Sequence, residues 1–344
     1  MVPVLRGKMH ILRVFTLAVV FTVLVSAPAL VALQDNEELQ SQREQRNIVA
    51  LVQMVNAVAA GTQAAAADIS LQWESNHFMK GTDGATYIPF TLAIDAAQLA
   101  APGAALYVRA VSKDATPTPD PAAERSAAVE YAWDDVNFVE VPSSGRLERA
   151  MVLMPGEYEL FVAIKEEGPL EVQDNQPPGK AALLLRDITV PDFSGLDLSM
   201  SSVLIGTIEP LAAELNADEQ KENPYTFGRL SVTVSTDLKT SDELQALFFI
   251  YGADQTGSKP DVQIDFSFHR QTPEGEAYFN KTPSQILNAS TLPPQFDLAT
   301  DQLPGMLFVP LASFPAGEYR LEIKLTDAIS GDTLTHNANF TVEA

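Results

Sequence analysis

The chain has no cysteine among its 344 residues. That excludes disulfides, thiolate zinc sites, iron–sulfur clusters and cysteine nucleophiles in one step. Small secreted domains often depend on disulfides, so any folded unit here must be held by its core, which asks for about a hundred residues or more per domain. Basic residues are also scarce: Lys and Arg total 22 against 45 Asp and Glu, a net charge of −23. A surface this acidic repels phosphate backbones and anionic lipid headgroups, both of which need a basic patch. Nucleic acid is therefore not expected as a partner. Cationic partners and divalent ions stay compatible with the charge, as does the simpler role of keeping an exported protein soluble.

Catalytic motifs are missing as well. There is no G-x-S-x-G elbow and no H-E-x-x-H pair among His10, His77, His269 and His336. There is no D-x-[DN]-x-[DN]-G calcium loop. Gly179-Lys180 lacks both the upstream glycine and the hydroxyl partner of a phosphate-binding loop. No catalytic, cofactor-binding or metal-ligating residue is assigned, and no cofactor is expected. Lys80-Gly81-Thr82-Asp83-Gly84 and Gly252 to Gly257 read as turns. Asn280-Lys281-Thr282, Asn288-Ala289-Ser290 and Asn339-Phe340-Thr341 match glycosylation sequons, triplets short enough to recur by chance.

What is present begins with a leader. Arg6, Lys8 and Arg13 precede an unbroken apolar run, Val14 to Val25, and then Ala27-Pro28-Ala29 offers a small-residue cleavage site, with Ala32 as a second. Positive, apolar and small-residue regions in that order specify a secretory signal peptide, assigned to 1–32. With no Arg-Arg pair, the general secretory route fits, and the expected location is periplasmic or extracellular. The competing reading is an uncleaved anchor: Val14 to Leu33 is long enough to span a bilayer, whereas Pro28 and its small neighbours favour cleavage. Membrane contact is expected only for the uncleaved form. Without the leader, 19 basic residues face 45 acidic ones, a net −26.

A short helix is predicted from Asp35 to about Ala60, capped by Asp35 or Asn36, with Glu37 and Glu38 in its first turn. Ile48, Leu51, Val52, Val55 and Val58 share one face, and Gly61 ends it. This helical and Ala-rich segment, 33–67, is expected to pack on the following domain or to act as a stalk. From Ile69 the period changes to two, with Ile69, Leu71 and Trp73 on one face. Strands are predicted over 87–94, 106–111, 129–141, 147–153, 158–165 and 181–190; the stretch from Tyr158 to Lys165 reads as clean alternation. Pro191-Asp192-Phe193-Ser194-Gly195 breaks the pattern. A second series follows, over 203–208, 230–234, 247–251, 262–268, 307–310, 319–325 and 338–342. The fold class is thus all-β: two tandem immunoglobulin/fibronectin-III-like sandwiches, 68–190 and 200–344, joined by a linker at 191–199. Lys113 to Ala123, Glu166 to Gly179 and Thr272 to Asp301 read as longer irregular segments.

An internal echo supports two related domains. Met154-Pro155-Gly156-Glu157-Tyr158 precedes Leu160, Val162 and Ile164, and Phe314-Pro315-Ala316-Gly317-Glu318-Tyr319 precedes Leu321, Ile323 and Leu325. A Pro/Gly turn leading to Glu-Tyr and then to alternating apolar residues looks like the tyrosine corner of immunoglobulin-like sandwiches. A terminal hairpin should turn at Ser330-Gly331-Asp332.

With these segments, and with His77 to Gly84 followed by Tyr87-Ile88-Pro89-Phe90-Thr91, the chain resembles exported bacterial proteins of acidobacterial type. In that group immunoglobulin-like sandwiches accompany von Willebrand factor A-related and GWxTD-type domains. The GWxTD tetrapeptide is absent here. The resemblance implies an envelope protein and transfers no active-site residue.

Three functional readings follow. The first is a non-enzymatic envelope protein, a protein-interaction or structural module whose partner is another envelope protein. The second is a carbohydrate-binding, or less readily carbohydrate-cleaving, protein using Trp73, Trp133 and the neighbouring Asp134-Asp135; against it, tryptophan usually belongs to the core. The third, a calcium-dependent adhesin, rests on net charge alone.

Overall fold

The computed structural model describes residues 27–114, 131–170, 179–256 and 259–344. The apolar run of the leader, and most of the segments 113–123 and 166–179, lie outside the described residues. Among the described residues no helix is long and apolar enough to cross a membrane.

Helix α1 runs from Ala27 to Ala59. It is longer than the sequence suggested, and Asp35 and Asn36 sit inside it rather than capping it. The residues just before them, Ala29-Leu30-Val31-Ala32-Leu33, have no helix breaker, and a single Asp or Asn costs too little propensity to stop a helix already under way. The end at Gly61 falls where expected: this glycine takes φ 67°, and its N–H donates to the Val58 carbonyl at 2.9 Å.

Two sheets follow. One holds β1 (Leu71–Asn76), β2 (Met79–Lys80), β3 (Thr86–Ile94) and β6 (Arg146–Leu153), with β3 central: β6 runs along one side, and β1 and β2 pair with it in turn. The other holds β4 (Gly103–Ser112), β5 (Trp133–Glu140), β7 (Gly156–Glu166) and β8 (Ala181–Val190) in the order β5-β4-β7-β8. Ile88, Phe90, Leu92, Leu147 and Met151 of the first meet Leu106, Val108, Leu160, Val162 and Ile164 of the second in one core.

The second pair of sheets repeats the plan. β9 (Ser199–Met200), β10 (Leu204–Pro210), β11 (Thr226–Phe227), β12 (Leu230–Val234), β14 (Glu243–Tyr251) and β20 (Leu303–Pro310) form one sheet. β13 (Asp237–Lys239), β17 (Val262–Thr272), β18 (Gly275–Lys281), β19 (Gln285–Leu287), β21 (Gly317–Asp327) and β22 (Thr333–Glu343) form the other. A small ribbon pairs β15 (Gln255–Thr256) with β16 (Lys259–Pro260). The sub-orders β10-β14-β20 and β18-β17-β21-β22 match β1-β3-β6 and β5-β4-β7-β8. Both tyrosine corners form: Tyr158 Oη donates to the Met154 carbonyl at 2.9 Å, and Tyr319 Oη to the Pro315 carbonyl at 2.6 Å. Two residues before each tyrosine, Gly156 and Gly317 take nearly the same φ, 151° and 152°.

The 272–301 segment is irregular only in its second half, from 288 on. It contains β18 and β19, which carry no apolar alternation because nearly every β18 side chain faces solvent. Nor does β7 alternate cleanly: Leu160 through Ile164 are all buried. The cause is α1. Leu51 and Val55, both fully buried, pack on Ala105, Tyr107, Phe161, Ala163 and Leu183, so this sheet is covered on both faces. Asn47 accepts from Lys165 Nζ at 2.9 Å and Arg43 pairs with Glu167 at 2.8 Å, fixing the helix further.

The two sandwiches are locked together. Phe78, Met79 and Tyr87 of the first pack on Leu204, Tyr225, Leu247, Phe249 and Tyr251 of the second, and Phe193 from the segment between them is buried in the same cluster. The 191–199 stretch therefore contributes contacts, and its last residue opens β9. Three polar groups along the seam are paired across it: Tyr87 Oη donates to the Pro224 carbonyl at 2.8 Å, the Lys80 N–H to Tyr251 Oη at 3.1 Å, and Thr86 Oγ1 to the Pro191 carbonyl at 2.8 Å. Buried polar groups left unpaired would cost about 1–3 kcal/mol each, so the pairing matters as much as the apolar contact.

Candidate functional site

The open side of the first sandwich lies between two edge strands, β5 and β6. Alternation puts Trp133, Asp135, Asn137 and Val139 on the inward face of β5. On β6 it puts Leu147, Arg149, Met151 and Leu153 inward. Val139, Leu147, Met151 and Leu153 enter the core, so Arg149 is a charged residue in core phase, at the point where the two sheets part. Its Nη1 donates to the Glu148 carbonyl at 2.7 Å. Burial pushes its guanidinium below the ordinary value, with Glu222 opposing.

Arg149 separates two clefts. The larger, of about 660 Å³, is lined by Arg43, Arg146, Glu140, Glu148, Glu167 and Glu222 among others. Its charges largely satisfy one another: Arg43 with Glu167 at 2.8 Å, and Arg146 with Glu148 at 3.1 Å and with Glu74 at 2.7 Å. Arg146 Nη2 also donates to the Val234 carbonyl at 3.1 Å, which ties the wall to the second sandwich.

The smaller cleft, of about 240 Å³, is lined by Tyr87, Trp133, Asp135, Asn137, Arg149, Ala150 and Val152 from the first sandwich, and by Ala217, Gln220 and Lys221 from the second. The last three belong to helix α2 (Ala217–Glu222). That helix is started by a capping box: Asn216 Oδ1 accepts from the Asp218 and Glu219 N–H groups, each at 3.0 Å, while Glu219 accepts from the Asn216 N–H at 2.9 Å. Ligand clefts favour domain boundaries of this sort.

The residues singled out from sequence separate. Trp73 stacks on Phe90 with ring centroids 4.7 Å apart, donates to Asn76 Oδ1 at 3.1 Å and lies under the Arg186 guanidinium. It is a structural residue. Trp133 is half-buried, touching the core and lining the small cleft. The Asp134-Asp135 pair is split by the strand. Asp134 faces the α1 side, 3.9 Å from Nε of the buried Arg109, which donates to Tyr107 Oη and to Asn56 Oδ1, each at 2.7 Å. Burial is the main cause raising the Tyr107 phenol, and Asp134 adds to it. Asp135 lines the cleft and accepts from Asn137 at 3.0 Å.

The three described histidines do not converge. His77 lies in the seam, its Nδ1 3.2 Å from Tyr225 Oη. His269 sits 3.8 Å from both Glu276 and Glu322 on the outer face of the second sandwich. His336 is half-buried on β22. Among the described residues no group of three His, Asp or Glu is placed to hold a metal ion. The Lys80–Gly84 segment is a turn, with Asp83 at φ 54° and Gly84 at φ 78°. Sequence reading missed Arg149, Asn137 and Gln220. For Arg149 the signal was there, as a charge at the inward position between Leu147 and Met151.

No family model matches the chain, and no curated protein matches it. Among solved structures it is similar to trypsin-activated alpha-2-macroglobulin from Escherichia coli, at 11% identity over 82% of this chain and 17% of that one, with a TM-score of 0.22. It is also similar to Salmonella alpha-2-macroglobulin reacted with methylamine, at 11% identity over 80% of this chain and 16% of that one, TM-score 0.20. The native E. coli form matches at 10% identity over 82% and 16%, TM-score 0.20. The chain spans less than a fifth of the length of each.

Proposed function

We propose that the chain is a non-enzymatic exported protein of the cell envelope, whose locked pair of immunoglobulin/fibronectin-III-like sandwiches serves as a protein-interaction or structural module. One observation carries the reading: where the apolar sheet faces go. α1 covers one outer face, and the β3 and β14 sheets cover each other. Strand edges are left over. Among the described residues β18 pairs only with β17, and it presents Glu276, Ala277, Tyr278, Asn280 and Lys281 to solvent, with Tyr278 59% exposed. An open edge accepts an extended segment of a partner by strand addition. The leader with its apolar run and small-residue site supports export, and the partner class is another envelope protein.

The test is in-cell crosslinking from a photoreactive residue at position 278, with the exposed Thr62 position as control, followed by mass spectrometry of what is captured and of the mature N-terminus. One reproducible envelope protein captured from position 278 and not from 62, on a chain cut after Ala29 or Ala32, is the expected result. The same abundant neighbours from both positions would remove the interaction role.

A further inference from the structure

We propose that the 240 Å³ cleft between β5, β6 and α2 is a saccharide site that takes one sugar ring, neutral or bearing a single carboxylate. Trp133 is the platform, and Asp135, Asn137, Arg149 and Gln220 are the polar partners.

The chain holds two tryptophans. Trp73 is committed to the Phe90 stack and the Asn76 hydrogen bond, whereas the Trp133 indole lines the cleft. An indole is apolar on its face and matches the C–H face of a pyranose. Around it stand the groups that suit vicinal hydroxyls, which donate and accept together: a carboxylate that accepts, amides that do both, and a guanidinium that donates in a fork. Arg149 has five N–H donors by its chemistry, and Nη1 alone is bonded among the described residues, to the Glu148 carbonyl. This half-buried guanidinium, in a strand position where alternation calls for an apolar side chain, lines the cleft with donors to spare for a ligand. A charge pointing inward at a sheet edge also deters edge-to-edge pairing, but that role requires neither the tryptophan opposite nor the amides beside it.

Size and charge narrow the ligand. The volume is just under the about 300–1,000 Å³ usual for drug-sized ligands, so it admits one ring rather than a chain. The lining carries Asp135 against Arg149 and Lys221. It is thus net positive by one in a protein of net charge −23, which accepts one carboxylate and gives a polyanion nothing to hold. Because α2 belongs to the second sandwich, a bound ring would touch both domains and raise their joint stability.

The experiment uses the exported chain carrying Trp73→Phe, which keeps an aromatic ring on Phe90 and leaves Trp133 as the emitter. It is titrated to millimolar concentrations with glucose, galactose, N-acetylglucosamine and glucuronate, read by fluorescence and by saturation transfer to the sugar protons. Expected is a saturable change with at least one sugar, abolished in Trp133→Ala and weakened at least about tenfold in Asp135→Asn. Glucuronate separates the acidic from the neutral class. Should Trp133→Ala fail to fold because it touches the core, Asp135→Ala, at an exposed position, replaces it. Binding by none of the four sugars, or undiminished binding in the Asp135 and Trp133 variants, overturns the proposal. Crosslinking at position 278 is unaffected by either outcome, so the two readings fail independently.

Discussion

His77 makes the seam between the sandwiches sensitive to acid. Its imidazole is pushed down to about 4, by burial first and by the nearby Arg146 second. In the unfolded chain it returns to about 6.5. Above that value neither state carries the proton, and the contribution of the seam is intact. As pH falls from about 6.5 toward 4, the unfolded chain binds a proton that the folded chain refuses, so stability drops by about 1.4 kcal/mol per pH unit. The loss is about 2 kcal/mol by pH 5 and about 3 kcal/mol at most by pH 4. His336, also lowered by burial, acts in the same direction, and a difference measurement cancels it. Asp192, Asp265 and Glu276, held below their ordinary values by hydrogen bonds, titrate in more acid solution, which leaves pH 7 to 5 to the histidines. The variant is His77→Gln, which retains a hydrogen-bonding group for Tyr225 and cannot charge. Urea unfolding of both proteins at pH 7, 6 and 5 should show the wild type losing about 2 kcal/mol more than the variant across that range. Parallel pH profiles would refute the argument, because they would mean that His77 is solvated well enough to charge in place.

Two further expectations rest on packing and on the repeat. Tyr158→Phe and Tyr319→Phe each remove one hydrogen bond to a carbonyl four residues back, and each should cost about 1 kcal/mol in chemical denaturation; a large cost for one and none for the other would deny that the corners are equivalent. Leu51→Ala opens a cavity under α1, where Leu51 is fully buried against the β4–β7 face. A loss of about 2–5 kcal/mol for the helix-docked state should appear as faster proteolysis near Val49, and an unchanged cleavage rate would mean that the helix is held by its polar contacts instead.

What sequence made legible was local or strictly periodic. The tyrosine corners occupy five residues each and show as a motif. β3, β17 and β21 show because one face is apolar and the next position is not, and β14 shows as an unbroken apolar run from Ala246 to Tyr251. β7 misled because its outward residues, Phe161 and Ala163, are buried by a helix a hundred residues upstream, and no local window contains that partner. β18 escaped because a strand at an open edge has no apolar face to declare it; only its pairing with β17 makes it a strand. The first turns of α1 were lost to a reading of Asp35 as a cap, when a capping residue only marks an end if the chain before it cannot be helical. Of the site, Trp133 and Asp135 were visible as a cluster. Asp134 was not separable from Asp135 until the strand sent them to opposite faces. Gln220 comes from the other domain, and nothing in its own neighbourhood points to β5.

The repeated plan also shows what the helix is for. In the first sandwich Tyr107 stands opposite Ala163, and Arg109 opposite Phe161, on the outer face. Counting from the two corner tyrosines, the matching positions of the second are Asp265 opposite Lys324, and Ser267 opposite Glu322. One copy therefore has an apolar outer face that water would penalise, at about 25 cal/mol for each Å² left uncovered, and α1 removes that penalty. The other copy presents opposite charges directly across the strands, an arrangement that is favourable in solvent and needs no cover. The same backbone plan is thus finished in two ways, as an interior layer in one domain and as a wet surface in the other. Any protein that engages the second sandwich has little apolar area to gain on that polar face and unpaired backbone to gain at β18, which is why the edge strand is the place to look for it.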